Sequence, residues 1–437
     1  MDGDSNRAVR RAEHCGERCA REVAIREHGN DHRPGDGDHG NRPPATSDET
    51  PEERDRDHRT NRTSGRDLGT LGPVPAPPIS FARGAPAPEL IPSATLAECA
   101  YAVAQRDGAK VFAYGPGGGY APLREWVAAR HVVEPNRVVL TVGGLQGFAF
   151  YAAEQLARQP GRVLVEAPSY DRPLKIIARE GAEAVALRMD EEGLDPDALE
   201  AELRSRSEPP SFLYTIPTFQ NPSGRTLSTE RRRRIVEIAV TQGLAVLEDD
   251  PYGLVRYEGE PPPSLHELEG GELVTYTSSF SKTAAPGLRV GYFVLPSDTA
   301  AAFEERAVST YISPPFIAQA TIAEFIARGH FEPNLARVCS ELKSRRNAML
   351  DGLERSFRAG SSWSRPQGGY FLWLELPGGV VTAELVARAE PAGVAFVPGE
   401  DFFPTGSGLG RTSARLAFSF ETPERITAGI EVLAGLL

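Results

Sequence analysis

Ser278-Ser279-Phe280-Ser281-Lys282-Thr283-Ala284-Ala285-Pro286-Gly287-Leu288-Arg289 follows directly on Leu273-Val274-Thr275-Tyr276-Thr277, an apolar run that reads as a buried strand. A lysine leaving such a strand among small hydroxyl residues is an amine beside groups that can bond an anion. Arg289, seven residues further on, adds a permanent positive charge suited to phosphate. Amine and anion site together suit a phosphorylated aldehyde bound as an imine. A strand-end lysine facing water fits the same window equally well, and the surrounding chain has to separate the two.

Upstream, short apolar runs occur at 137–142, 162–167, 184–189, 212–216 and 244–247, and the series continues at 273–277 and 289–295. Helical-period stretches separate most of them, as at 146–158, 172–180 and 228–242. Continuous apolar strands alternating with helices predict an α/β fold with a mostly parallel seven-stranded sheet covered on both faces. Ligands then belong at the strands' carboxyl ends. After about residue 297 the pattern changes to helices at 316–328 and 335–357, then strands at 369–376, 394–397 and 415–420. This predicts a smaller α+β C-terminal domain, closed by a helix over 423–437 with Thr422 as N-cap and Pro423 in the first position. The divisions expected are an arm at 79–110, a large domain at 111–310 and a small domain at 311–437.

A chain of 437 residues with 40% hydrophobic content supports a sizeable core. The formal net charge of -12 leaves no basic footprint for nucleic acid, so an anionic ligand must be held by local positive groups. Four scattered cysteines (Cys15, Cys19, Cys99 and Cys339) make no disulfide framework, which points to a reducing cytoplasm. No run approaches the roughly 20 apolar residues of a membrane span, and no signal-peptide core is present. Residues 1–78 are charged and poor in large apolar side chains after Ile25, as expected of a disordered tail. Within it Cys15, Cys19, His28 and His32 loosely resemble a zinc-ligand set, but the connecting segment is short and has no apolar core, so no metal is expected.

Several strand ends carry chemistry, each with a plainer alternative. Thr141-Val142-Gly143-Gly144-Leu145-Gln146 ends a strand and opens a helix, whose free N–H groups can hold phosphate; a tight turn explains the glycines too. Gly117-Gly118-Gly119 is a second glycine loop, or simply a turn. Tyr170 follows a strand end, where its ring can stack on a flat heterocycle or pack in the core. Asn221, in Gln220-Asn221-Pro222-Ser223-Gly224, is turn chemistry or a donor to a phenolate oxygen. Glu248-Asp249-Asp250-Pro251-Tyr252 clusters three acids, which repel unless one meets a cation such as a pyridinium nitrogen; a metal or a solvated loop are the rivals. Arg415 opens a late strand, at the surface or as a clamp for a substrate carboxylate. The run Arg231 to Arg234 is expected to be solvated.

In this order the motifs resemble the class I and II aminotransferases of fold type I, which use pyridoxal 5'-phosphate, and most of all the kynurenine/2-aminoadipate aminotransferase and MocR-like branch. Asn-Pro-x-Gly, Asp-Asp-Pro-Tyr and Ser-Phe-Ser-Lys with Gly-Leu-Arg together carry the resemblance, which spans residue 79 to the C-terminus. It implies an enzyme moving an amino group between an α-amino acid and a 2-oxo acid, with Lys282 as Schiff-base lysine and proton shuttle. It also implies that Asp249 pairs with the pyridinium nitrogen, Asn221 and Tyr252 hold the phenolate oxygen, and Tyr170 stacks on the ring. Ser279, Arg289 and the turn Gly143-Gly144-Leu145 would bind the phosphate. Tyr114 would reach the neighbouring subunit of a homodimer, and Arg415, with Asn221, would bind substrate.

Relatives usually have Ser-Gln where this chain has Gly144-Leu145, and a Thr-Gln pair in the first glycine loop. Both changes are expected to line the wall opposite Lys282 and to set specificity. They motivate an alternative reaction of the same cofactor: elimination, cyclisation or oxidation of a specialised amino acid in a biosynthetic pathway. A transcription regulator would need a folded reader domain, which the core-poor segment 1–78 does not suggest. A catalytically dead scaffold is disfavoured by the intact lysine, aspartate and arginine.

Overall fold

The computed structural model describes residues 77–357 and 359–437. The expected tail and the candidates Cys15, Cys19, His28 and His32 lie outside the described residues. The chain enters with β1 (Ile79–Ser80), and the seven apolar runs become β2 (Val138–Thr141), β3 (Arg162–Ala167), β4 (Glu183–Asp190), β6 (Phe212–Thr215), β7 (Val246–Asp249), β8 (Val274–Ser279) and β9 (Gly291–Val294). Between them β5 (Gly193–Leu194) folds back antiparallel on β4, so the sheet has eight strands rather than seven, ordered β2-β9-β8-β7-β6-β3-β4-β5. Two residues are too short an apolar run to read. The pairs from β4 through β8 are parallel, whereas β9 runs antiparallel to both β2 and β8.

Period-two alternation splits each strand between two cores. Val163, Val165, Phe212, Tyr214 and Leu247 pack with Phe148, Ile177 and Phe303, from the helices Gly144–Arg158, Asp171–Arg179 and Ala300–Tyr311. Leu164, Leu213, Val246 and Val274 face the other way, onto Leu199, Ile235 and Ile238 of Pro196–Ser205 and Thr229–Gln242. With helices on both sides, β2, β6 and β9 are buried at every residue.

The C-terminal domain holds β10 (Ser362–Trp363), β11 (Phe371–Glu375), β12 (Val394–Ala395), β13 (Val397–Pro398) and β14 (Ser413–Ala417). Four of these form an antiparallel sheet, β10-β11-β14-β13. The expected strand at 394–397 breaks at Phe396, whose ring turns into the domain core. β12 then pairs in parallel with β1, which ties the entering segment to this domain. The closing helix Pro423–Gly435 is capped by the Thr422 side chain and packs Ile426 and Ile430 against Met349 and Leu353 of Phe331–Ser356.

One expectation is corrected. Arg232, within the run read as solvated, is 1% exposed. Its guanidinium donates to Pro217 O and Thr218 Oγ1, both at 2.8 Å, and lies 3.6 Å from Glu248. It thus clasps the turn after β6 to the end of β7. Arg232→Met leaves Glu248 buried without its cation and is expected to cost about 3–5 kcal/mol. Arg233→Met, at an exposed neighbour, should stay within about 0.5 kcal/mol. Denaturant midpoints of the two variants check this.

Candidate active site

β6, β7 and β8 end side by side, with Thr215 level with Glu248 and Asp249 level with Thr277. Beyond them lies a cavity of about 180 Å³ whose lining includes Lys282, Asp249, Asn221, Tyr252, Tyr170, Ser279 and Arg289. Chain segments far apart in sequence meet here because parallel strands deliver their carboxyl ends to one edge.

The three acids at the end of β7, Glu248 and Asp249 within the strand and Asp250 just past it, do not act as a cluster. Alternation sends Glu248 and Asp250 to the side away from the cavity and Asp249 into it. Glu248 accepts from His266 N at 2.9 Å, while Asp250 accepts from Tyr276 Oη at 3.0 Å and Gly253 N at 2.7 Å. Asp249 accepts from the Tyr214 hydroxyl at 2.8 Å. Burial pushes its carboxyl up to about 7 in spite of that bond, and Asp250 and Glu166 push it further. A cation brought to Asp249 is therefore strongly favoured.

Lys282 Nζ donates to Gly84 O at 2.6 Å and lies 5.1 Å from the Tyr370 ring centre and 5.7 Å from that of Tyr252. Burial lowers its amine to about 8, with Arg415 and Arg289 adding repulsion and Asp249 opposing them. The Tyr370 hydroxyl donates to Lys282 O at 3.0 Å and steadies the backbone that carries the amine.

Arg415 is 8% exposed and has no acid partner among the described residues. Nη1 donates to Asn221 Oδ1 at 3.1 Å and Nη2 to Ala82 O at 2.8 Å, while Nε has no partner. The rings of Phe371 and Phe402 flank it at 4.4 and 4.9 Å. A buried guanidinium held only by neutral oxygens is poised for a carboxylate.

The anion cradle is built on the start of the helix Gly144–Arg158, which has no side-chain cap. Its first N–H groups are free of intrahelical acceptors. The Gly143 N–H itself is taken by Thr141 O at 2.8 Å, so Gly143 shapes the turn rather than donating. Gly143 has φ +80, and a Cβ there would lie 2.2 Å from Arg289 Nη2. A side chain at 143 would displace the tip of Arg289 from its present place at the helix end. A Cβ on Gly144 would meet nothing nearer than Thr277 Oγ1 at 4.0 Å, and Leu145 gives the same wall an apolar face.

Tyr114 and the three loop glycines are not brought to this cavity, and Gly143 and Arg415 also fall outside its lining, Arg415 reaching it through its bond to Asn221. Tyr114 is 79% exposed and outside the lining. Gly117, Gly118 and Gly119, expected in the opposite wall, pack instead on their own chain: Gly118 N donates to Glu304 Oε1 at 2.7 Å, and Cβ atoms at 117 and 119 would collide with Val308 and Leu140. Only Gly144-Leu145 remains as the altered wall. Sequence reasoning missed Tyr214, Tyr370, Ser281 and the Gly84 carbonyl. Of these only Ser281, beside the lysine, carried a local signal; the others act through strand register and packing.

An amine, an isolated carboxylate, a serine-arginine-helix cradle and a flanking tyrosine form a donor set that fits pyridoxal phosphate. The profile of the family described as aminotransferase class I and II matches residues 77–431. The chain is 36% identical over 362 residues to the 2-aminoadipate transaminase of Thermus thermophilus, covering 82% of this chain and 90% of the relative. It is 33% identical over 368 residues to aromatic-amino-acid aminotransferase 1 of Thermococcus litoralis, covering 82% and 87%. Among solved structures, α-aminoadipate aminotransferase from Thermus thermophilus complexed with N-(5'-phosphopyridoxyl)-L-leucine has a TM-score of 0.78 at 36% identity, covering 82% and 92% of the two chains. Pyrococcus horikoshii kynurenine aminotransferase also has a TM-score of 0.78, at 32% identity, covering 83% and 91%.

Proposed function

Because this chain belongs to the class I and II aminotransferases, enzymes that use pyridoxal phosphate to move an amino group between an α-amino acid and a 2-oxo acid, we propose that Lys282 holds the cofactor's aldehyde carbon and handles the substrate's Cα proton. Asp249 pairs with the ring nitrogen, Asn221 and Tyr252 hold the phenolate oxygen, and Tyr170 lies against the ring. Ser279, Arg289 and the N–H groups of Gly144 and Leu145 hold the phosphate, and Arg415 takes the substrate's α-carboxylate. When bound, the cofactor supplies a ring that accepts the electron pair left as the Cα–H bond breaks.

The protein's own contribution follows from its electrostatics. With its amine near 8, Lys282 is neutral in roughly a tenth of molecules at pH 7 and can accept a proton at Nζ. Asp249 keeps a proton on its ring-nitrogen partner, and the Tyr214 hydroxyl holds the carboxylate in place. Arg415 exchanges neutral oxygen partners for a carboxylate, which orients the substrate's Cα. The observation that carries this reading is the convergence of Lys282, Asp249 and Arg289 on one cavity.

The amino donors we propose lie in the aminoadipate, aromatic and kynurenine range of the named relatives. The setting is a biosynthetic pathway in the cytoplasm. No helix among the described residues is long and apolar enough to cross a membrane. A homodimer is proposed on the exposed Tyr101, Phe112, Tyr114 and Ile312, with Tyr114 serving the neighbouring subunit's phosphate site. The divisions 79–110, 111–310 and 311–437 are retained as arm, large and small domain.

Incubation with an amino-donor panel and 2-oxoglutarate, followed by mass spectrometry, tests the reaction. A matching 2-oxo acid and glutamate are expected; an altered donor skeleton instead would support elimination, cyclisation or oxidation. Gly143→Ala is expected to weaken cofactor binding about 10- to 100-fold, since strained φ and displacement of Arg289 cost about 1–3 kcal/mol. Titration of apoprotein with pyridoxal phosphate measures it.

A further inference from the structure

The turn that delivers Asn221 to the active site has a second face, between the two domains. Two adjoining cavities there, of about 400 and 560 Å³, share Glu191, Arg225, Trp373 and Glu375, and none of these residues lines the Lys282 cavity. Arg225 is half-buried, yet its guanidinium has no hydrogen-bond or ion-pair partner among the described residues. Most acids around it are already engaged. Glu375 accepts from Trp373 Nε1 at 2.5 Å and Ser413 Oγ at 2.8 Å. Asp190 and Glu192 are held by Arg231 at 2.7 and 3.1 Å. Glu191 is exposed and also has no partner among the described residues. Among the described residues the cleft therefore presents a cation and an anion without partners, Arg225 and Glu191, and in Glu375 a second carboxylate held only by neutral donors, with the indoles of Trp363 and Trp373 beside them.

We propose that this cleft binds a free α-amino acid as a zwitterion, with its carboxylate on Arg225, its ammonium on Glu191 and an apolar or aromatic side chain against Trp363 and Trp373. A guanidinium fork matches a carboxylate, and indole faces accept apolar groups and cations alike. A simple anion fits less well, because it would meet Glu191 and Glu375 uncompensated. The site reaches the active centre by two short links. Arg225 O accepts from Gln220 N at 2.9 Å, one residue from Asn221. Glu375 stands opposite Ser413 in the β11–β14 ladder, two residues before Arg415. Asn221 and Arg415 are the pair bonded at 3.1 Å in the active site.

The probe is α-methyl-L-phenylalanine, a zwitterion with no Cα hydrogen and hence no route to transamination. It is titrated into holoenzyme while tryptophan fluorescence reports the cleft and the cofactor's visible absorbance reports the active site; two of the three tryptophans line the cleft. A saturable fluorescence change is expected, weakened about tenfold or more in Arg225→Gln and in Glu191→Gln, with the visible response the same in all three proteins. 3-Phenylpropionate, which lacks the ammonium, should bind about tenfold more weakly. The exposed Glu191→Gln keeps the test open if Arg225→Gln misfolds. No saturable fluorescence change, an undiminished change in either variant, or equal binding of 3-phenylpropionate overturns the proposal. A wild-type protein without visible absorbance would instead count against the cofactor roles, which this inference does not need.

Discussion

Lys282→Ala is expected to abolish the visible absorbance of bound cofactor and to lower turnover by about 10⁴-fold or more, because nucleophile and proton carrier are lost together. The same change should make the apoprotein more stable. The folded amine sits near 8 against 10.5 for an ordinary lysine, so below pH 8 the fold carries a buried charge that the unfolded chain solvates freely. That penalty is fully present at pH 7, at up to about 3 kcal/mol, and fades as pH rises from 8 towards 10.5. Lys282→Met, which keeps the stem, should therefore raise the apoprotein's denaturant midpoint at pH 7 but not above about pH 10.5. Capture of pyridoxal phosphate by wild-type apoprotein should accelerate about tenfold per pH unit below 8 and level off above it, since the neutral amine attacks. A structural lysine would produce the opposite stability change and no such profile, and a persisting visible band in Lys282→Ala would refute the assignment.

Asp249→Asn should reduce turnover by roughly a thousandfold while leaving cofactor attachment intact. The amide can still accept the Tyr214 hydrogen bond, so the local packing survives. What it lacks is the charge that keeps a proton on the ring nitrogen, without which the ring is a poorer acceptor of electrons. Single-turnover kinetics should show slowed loss of the Cα proton, with visible absorbance retained and shifted. Unchanged turnover would remove Asp249 from the site chemistry. Tyr214→Phe provides a graded comparison: it withdraws one donor from the carboxylate, which then rises above its present value near 7, and it should cost much less than Asp249→Asn.

The site was legible in sequence where each residue sits next to a strand end. Lys282, Asp249, Asn221 and Tyr170 all follow apolar runs, and parallel strands bring such ends to one edge whatever the details of packing. Tyr214 and Tyr370 were not legible because they act across the sheet or between domains, and neither leaves a local mark. Arg232 was misread for the same reason. Of its neighbours only Arg233 is exposed, Arg231 and Arg234 being partly buried in ion pairs with Asp190 and Glu200, and only the fold reveals the backbone carbonyls and Glu248 that enclose Arg232. The glycine loop was misplaced because its glycines answer to Val308, Glu304 and Leu140, contacts that no spacing announces.

Sequence by itself determined the alternation of apolar strands and helices, the family, and the lysine, aspartate and arginine of the site, because these depend on periodicity and on short motifs. Tertiary structure decided how the three acids at the end of β7 divide, that Arg415 meets Asn221 rather than an acid, and that the tip of Arg289 sits where a side chain on residue 143 would lie. Those outcomes depend on which groups exclude water from one another, and that is settled only when distant strands are packed together.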